Sequence, residues 1–246
     1  MEKYQEVERS IITKFRPTIW RMFLRGIDEY KLIQENDKIM VCISGGKDSF
    51  LLAKCMQELQ KHGQIKFDLK FIIMDPGYSK KTLNTINENL KLLNIKADIF
   101  ETNIFNIVDK FDSPCYFCAK MRRGYLYDYA KKLGCNKIAL GHHMDDVVET
   151  ILLNLLFNGL YSSMLPKLSS DNFEGMELIR PLYYIEEKNI ILWKEYNKLD
   201  FINCACKVTK KNGGKRVQMK EVISLLEKYN KDAKKSIFNS SKNVNL

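Results

Sequence analysis

Three stretches of the sequence carry residues whose types and spacing suit chemistry. The first is Ser44-Gly45-Gly46-Lys47-Asp48-Ser49. Two glycines let the backbone approach a ligand closely or adopt positive φ. The residues that follow read as a helix, whose first N–H groups and positive dipole end favour an anion. Ser44 and Ser49 bring hydroxyl donors, Lys47 a neutralising charge and Asp48 a carboxylate suited to magnesium. The spacing fits neither the Walker A loop nor the dinucleotide fingerprint. The plainer alternative is a tight strand-to-helix turn capped by Ser44. The second stretch is Gly141-His142-His143-Met144-Asp145-Asp146, with Glu149 beyond it. Paired histidines and aspartates after a strand can cap a helix or hold a cation. Asp145 also reads as an N-cap. The third stretch is split: Cys115 and Cys118 form C-x-x-C, and Cys204 and Cys206 form C-x-C almost ninety residues later. Four thiolates suit a structural zinc. Three suit an iron–sulfur cluster with one iron open to exogenous sulfide, and one early and one late thiol suit a persulfide relay. Cys42 and Cys55 read as core thiols and Cys135 as a buried thiol at a helix end.

These residues need elements to hold them. Lys38–Ile43 is a short apolar strand, followed by the glycine turn and a helix from Asp48 to Gln60. A second strand, Lys70–Met74, ends at Asp75-Pro76-Gly77, where Asp75 reads either as a nucleoside contact or as an ordinary turn residue. A helix over 80–93, a weaker strand Ala97–Phe100 and helices over 103–110 and 119–133 follow. Gly134 closes the last of these. Lys137–Leu140 is a strand, and Asp145 and Asp146 open a helix over Val147–Phe157. Residues 159–178 read as a loop, Glu177–Leu182 as a last strand, and 186–198 and 215–229 as helices. Residues 7–32 read as one or two helices broken near Pro17. The alternation predicts an α/β fold: a mostly parallel sheet with helices on both faces, with N-terminal helical and C-terminal basic helical appendages. The expected division is a helical extension 1–35, a main domain 36–202 and a cysteine-containing basic segment 203–246. Ligands of such sheets sit at the carboxyl ends of the strands. The glycine turn, Asp75, the Gly141–Asp146 stretch and Arg180 all fall at that edge.

Composition narrows the classes further. A chain of 246 residues, 45% hydrophobic and 28% charged, is long enough for a sizeable core and is not a disordered chain. Its net charge is +10, and the stretch from Lys207 to Leu246 holds eleven basic and three acidic residues. That balance favours a polyanionic partner. Arg122, Arg123, Arg180, Lys207, Lys211, Lys215 and Arg216 are the candidate RNA contacts. Phosphate contacts of this kind make binding salt-dependent without selecting a base. No run of eighteen apolar residues predicts a membrane span, and MEKYQEVERS lacks the apolar region of a signal peptide. The expectation is a cytoplasmic protein with reduced thiols and no membrane partner.

Ser-Gly-Gly-Lys-Asp-Ser resembles the pyrophosphate loop, or PP-loop, of the ATP-pyrophosphatase superfamily, whose fold is adenine nucleotide alpha hydrolase-like. Lys137–Thr150, Ile11–Arg16, Arg180-Pro181-Leu182 and the closing Asn243-Val244 resemble the tRNA cytidine 2-thiolation proteins within that superfamily. The resemblance spans nearly the whole chain. It implies that ATP, with Mg2+, adenylates C2 of a tRNA cytidine at position 32 and that sulfur then replaces the oxygen. It also implies a 4Fe-4S cluster held by three cysteines. Cys115 and Cys118 match two of them. The third is Cys206 or Cys204, because C-x-C departs from the wider spacing of the family. The implied catalytic residues are Lys47, Asp48, Cys115, Cys118 and Asp145. The implied nucleotide contacts are Ser44 to Ser49, Asp75, Gly141, His142 and Asp146. Magnesium would fall to Asp48 with Asp145 or Asp146. A cysteine desulfurase or free sulfide would supply sulfur to a homodimer. The alternatives are uridine 2-thiolation by the same chemistry, a PP-loop sulfurtransferase using a cysteine persulfide without iron, and a zinc-stapled RNA-binding protein.

Overall fold

The computed structural model describes residues 1–108, 114–202 and 215–244. Its frame is a six-stranded sheet in the order β3-β2-β1-β4-β6-β5. The strands are β1 Lys38–Cys42, β2 Asp68–Asp75, β3 Ala97–Glu101, β4 Lys137–Ala139, β5 Lys167–Ser169 and β6 Glu177–Ile179. Every pairing is parallel except that of β5 with β6. The order reverses at β1, so the connections leaving β1 and β4 diverge and open a crevice at their carboxyl ends. This is the mostly parallel α/β sheet that the alternation predicts. β5 is an addition, lying in the stretch read from sequence as a loop. Three residues, two of them exposed, carry too little apolar pattern to announce a strand.

Successive strand residues face opposite sides, and each side meets its own helices. Ile39, Val41, Ile73, Ala139 and Ile179 face the principal core, together with Phe50, Leu51 and Met56 of α3 (Lys47–His62), Ile86 and Leu90 of α4 (Lys80–Leu92) and Trp193 of α8 (Glu187–Tyr196). Met40, Ile72, Ile138 and Leu178 face the other side, against Tyr127 and Ala130 of α6 (Pro114–Lys132). Val7 and Ile11 of α1 (Lys3–Ile12) and Phe23 and Ile27 of α2 (Arg21–Glu29) share the principal core. The break expected near Pro17 is a π turn, Arg16–Trp20, with proline in its first positions, where a missing N–H leaves no gap in the helix ladder.

Three elements differ from the sequence reading. α6 starts at Pro114, not 119, so Cys115 and Cys118 stand within the helix rather than in a loop before it. Proline suits a first helical position, because its absent N–H would have no intrahelical acceptor there. α7 (Met144–Asn158) is capped by His143, not by Asp145: the N–H of His143 donates to Asp146 Oδ2 at 3.0 Å. A further helix, Ala233–Ser240, follows the expected basic helix Lys215–Tyr229; among the described residues these two are α10 and α9, and α5 is Ile104–Val108. The apolar anchor of α10 is Phe238, which is 2% exposed and packs on Tyr183 and Tyr184, with Ile237 against the same cluster.

A chain of ion pairs docks the C-terminal helices on the carboxyl edge of the sheet. Lys47 Nζ lies 2.9 Å from Glu187 Oε1, and Glu187 Oε2 lies 2.8 Å from Lys220 Nζ on α9. The N–H of Glu187 donates to Asp145 Oδ2 at 2.6 Å, and Asp145 Oδ1 pairs with Lys234 of α10 at 2.8 Å. Burial alone would raise the Glu187 carboxyl, but the hydrogen bonds from Lys220 and Lys47 outweigh it and hold the group at about 2. A depressed carboxylate stabilises the fold above its unfolded value of about 4.5, and that stability is lost as pH falls through the folded value. Glu187→Gln is therefore expected to lower stability at pH 7 by about 1–2 kcal/mol after solvent screening. Denaturant titrations at pH 7, 4.5 and 3 check this. The gap between parent and variant should narrow below about pH 4.5 and close near pH 2; a gap independent of pH would refute it.

Candidate functional site

The crevice between β1 and β4 is a cleft of about 420 Å³. Its floor is the glycine turn. Gly45 adopts φ +89°, a conformation that disfavours a Cβ, and Gly46 is the N-cap of α3. The turn is closed by Ser49, whose hydroxyl donates to the Gly46 carbonyl at 2.8 Å and accepts from the N–H of Ser44 at 3.2 Å. Ser44 and Ser49 both line the cleft. The helix begins at Lys47 itself, and its first N–H groups have no intrahelical acceptors. The turn is thus built for an anion.

The opposite lip is the segment after β4. A Cβ on Gly141 would sit 3.1 Å from the Asp48 carbonyl carbon and 3.1 Å from the Ser49 nitrogen, so only glycine lets the two loops come this close. That contact brings Asp48 and Asp146 to the two sides of His143, whose Nε2 is 3.7 Å from Asp48 Oδ1 and 3.5 Å from Asp146 Oδ2. Asp48, Asp146, Gly141 and His142 line the cleft. Burial works against ionisation of Asp146, but His143 and His142 outweigh it and lower its carboxyl. Burial drives the His142 imidazole down to about 4, against the pull of Asp146 and with the help of Arg180, so it is neutral near pH 7.

Several sequence-predicted residues take other places. Asp145 does not line the cleft: one oxygen accepts the Glu187 N–H and the other pairs with Lys234. Its part is to join α7, α8 and α10. Asp75 Oδ1 accepts the N–H groups of Gly77 and Tyr78 at 2.8 and 2.6 Å, the ordinary turn geometry, while Met74 and Tyr78 beside it line the cleft. Lys47 is held sideways by Asp48 and Glu187. Burial opposes its charge, but those two carboxylates raise its pKa and keep it protonated. Arg216 spends its guanidinium on Asp146 at 3.2 Å and Glu149 at 3.3 Å, and Lys215 lies 4.4 Å over the Phe157 ring. Arg122 and Arg123 of α6 line the cleft, as does Arg180, which is 5% exposed and belongs to the interior rather than to an open RNA-binding surface.

The thiols divide in the same way. Cys118 is half-buried and packs beside Met74 and Ile104, next to the cleft wall that Met74 and Ala119 form. Cys115 stands three residues earlier in the same helix. Cys204, Cys206, Lys207 and Lys211 lie outside the described residues. Cys42 and Cys55 are core thiols, and burial pushes the Cys42 thiol up to about 12. Cys135 is buried past the end of α6. Among the described residues no group of three or more His, Cys, Asp or Glu is arranged to hold a metal ion. No described helix is long and apolar enough to cross a membrane. Glu187 is the site residue that the sequence reading missed. It lies 140 positions from Lys47, and no local spacing signals their pairing.

Comparison with known proteins places the chain. The model of the PP-loop domain family matches residues 17–211. The tRNA-cytidine(32) 2-sulfurtransferase of Geotalea uraniireducens (strain Rf4) is 38% identical over 243 residues, covering 97% of this chain and 94% of that protein. Its namesake from Geobacter metallireducens is 37% identical over 224 residues, covering 89% and 87%. Among solved structures, the U34-tRNA thiolase NcsA from Methanococcus maripaludis, with its 4Fe-4S cluster, has a TM-score of 0.72 at 22% identity, covering 91% of this chain and 77% of that one. That likeness is one of fold. By sequence and by the cleft at its β1–β4 crossover, this chain belongs to the PP-loop family, matching tRNA-cytidine(32) 2-sulfurtransferases along nearly their whole length.

Proposed function

We propose that this chain is an ATP-dependent tRNA 2-sulfurtransferase that adenylates C2 of cytidine, at position 32, and replaces the oxygen with sulfur. The observation that carries the reading is the cleft itself. An anion-binding turn faces a carboxylate pair across a glycine contact, with Cys118 against the adjoining wall, in a chain that matches cytidine sulfurtransferases end to end. The triphosphate of ATP lies on the turn, where the α3 N–H groups, Ser44 and Ser49 bind it. Asp48 and Asp146 are the residues that would hold Mg2+; Asp145 is committed elsewhere. The cytidine O2 attacks the α-phosphorus, the bond to the bridging oxygen breaks, and pyrophosphate leaves. Helix-terminal donors aimed at the developing charge lower the barrier. Sulfide then attacks C2 and AMP leaves with the former carbonyl oxygen.

The donor set fits a thiolate-bound cluster. Cys118 stands on α6 beside the cleft wall with Cys115 three residues before it in the same helix, and Ile202 packs on the glycine turn: a Cβ on Gly45 would lie 2.6 Å from Ile202 Cδ1. Cys115, Cys118 and Cys206 or Cys204 would hold a 4Fe-4S cluster, whose chemistry is to carry the incoming sulfide at an iron without a protein ligand. Sulfur comes from a cysteine desulfurase or free sulfide. A homodimer has one apolar face available at the end of α7, where Leu155, Leu156, Phe157, Leu160 and Leu165 are exposed.

Anaerobic reaction with unmodified tRNA, followed by nucleoside mass analysis, is expected to yield 2-thiocytidine; 2-thiouridine or no thionucleoside would refute the assignment. Asp146→Asn should cut tRNA-dependent pyrophosphate release by on the order of 100-fold, whereas Asp145→Asn should change it only a few-fold and mainly lower the melting temperature. Equal losses of turnover in the two would sink the division of labour between these neighbours. Cys118→Ala, purified without oxygen, should lose iron, labile sulfide and visible colour while still binding a non-hydrolysable ATP analogue. Retention of the full iron content would remove Cys118 from the ligand set.

A further inference from the structure

Two of the buried nitrogen atoms without a hydrogen-bond partner, Arg180 Nε and His142 Nδ1, belong to side chains that line the cleft together. Unpaired buried donors and acceptors are costly, and in a binding cleft they mark what the ligand must supply. Arg180 follows β6 and His142 lies just beyond β4. Those strands pair in parallel, Ala139 opposite Ile179, and the N–H of Leu140 donates to the Ile179 carbonyl. The two side chains therefore project from neighbouring strand ends.

Their chemistry is specific. The Nη1 of Arg180 donates to the carbonyl of Leu165. The Nε of the guanidinium, which with Nη2 forms an edge of two parallel N–H donors, is buried and has no protein partner among the described residues. No carboxylate pairs with Arg180 among them either. Asp48 is taken by Lys47, and Asp146 by Arg216 and His143. Burial, with Arg123 as a like-charged neighbour, lowers Arg180 only to about 10, so it stays charged near pH 7. His142 is neutral at that pH, and a neutral imidazole carries one bare nitrogen that accepts. The glycine turn after β1, with its own donors, lies one strand from His142 and two from Arg180, roughly 10 Å along the sheet edge from the β6 end. Triphosphate at the turn leaves this edge for the second substrate.

Resting on the function proposed above, we infer that Arg180 and His142 read the Watson–Crick edge of the target base and select cytosine over uracil. Cytosine presents acceptors at O2 and N3 and a donor at its 4-amino group. The Arg180 fork donates to O2 and N3, and the bare His142 nitrogen accepts from the amino group. Uracil presents an N–H at position 3 and a carbonyl at position 4, so it meets a donor with a donor and an acceptor with an acceptor. A site built to satisfy buried polar groups rejects the mismatched analogue strongly, and bases splayed out of RNA loops are read on this edge.

The test uses the full chain, a non-hydrolysable ATP analogue and two anticodon stem–loops that differ only by cytidine or uridine at the target position. The parent should bind the cytidine loop about tenfold more tightly and prefer it in thiolation by on the order of 100-fold in kcat/KM. Arg180→Met should abolish both preferences. Arg180→Lys, which keeps charge but loses the fork, should abolish most of each while leaving the melting temperature near that of the parent. A parent that binds both loops equally, or an Arg180→Lys variant that retains the full preference, would overturn the inference. An Arg180→Lys variant that loses affinity for the ATP analogue and keeps its preference would make Arg180 a nucleotide contact instead. A parent that thiolates neither RNA yet prefers the cytidine loop would refute the proposed reaction and leave the base-reading role standing.

Discussion

The site depends on the close approach of two loops at Gly141. The segments after β1 and β4 converge because the strand order reverses there, and a glycine lets the backbone of Asp48 and Ser49 come to 3.1 Å from where a Cβ would sit. That contact sets the distance between an anion-binding turn and a carboxylate, and it places His143 between the two acids. A larger residue at 141 would separate the lips of the cleft before it changed any chemical group.

The C-terminal helices are part of this arrangement. Glu187 links Lys47 to Lys220, Asp145 links the start of α8 to Lys234, and Arg216 rests on Asp146 and Glu149. Positive charge that the composition alone would assign to RNA is here spent partly on internal carboxylates. Helices α9 and α10 thus use their cations to dock on the sheet edge.

The sheet, the glycine turn and the placing of Gly141 and His142 at the strand ends were legible in the sequence because each is a local pattern: apolar strand, glycines, then helical spacing. What was not legible was long-range. The roles of Asp145 and Asp146 depend on Lys234 and Arg216, which arrive from elements seventy or more positions away. The sequence places Arg180 at the strand-end edge as a candidate RNA contact, but it does not display that the side chain is buried. α10 escaped because its apolar anchor, Phe238 with Ile237, sits in an otherwise polar stretch. The early cysteine pair was placed before a helix instead of within it because Pro114 was read as a loop marker, although proline is equally a residue of first helical turns.

Ile202 occupies the space that a side chain on Gly45 would need. The turn and Ile202 are thus fitted to one another. A side chain added at position 45 would therefore have to displace Ile202 before it could disturb any chemical group of the turn.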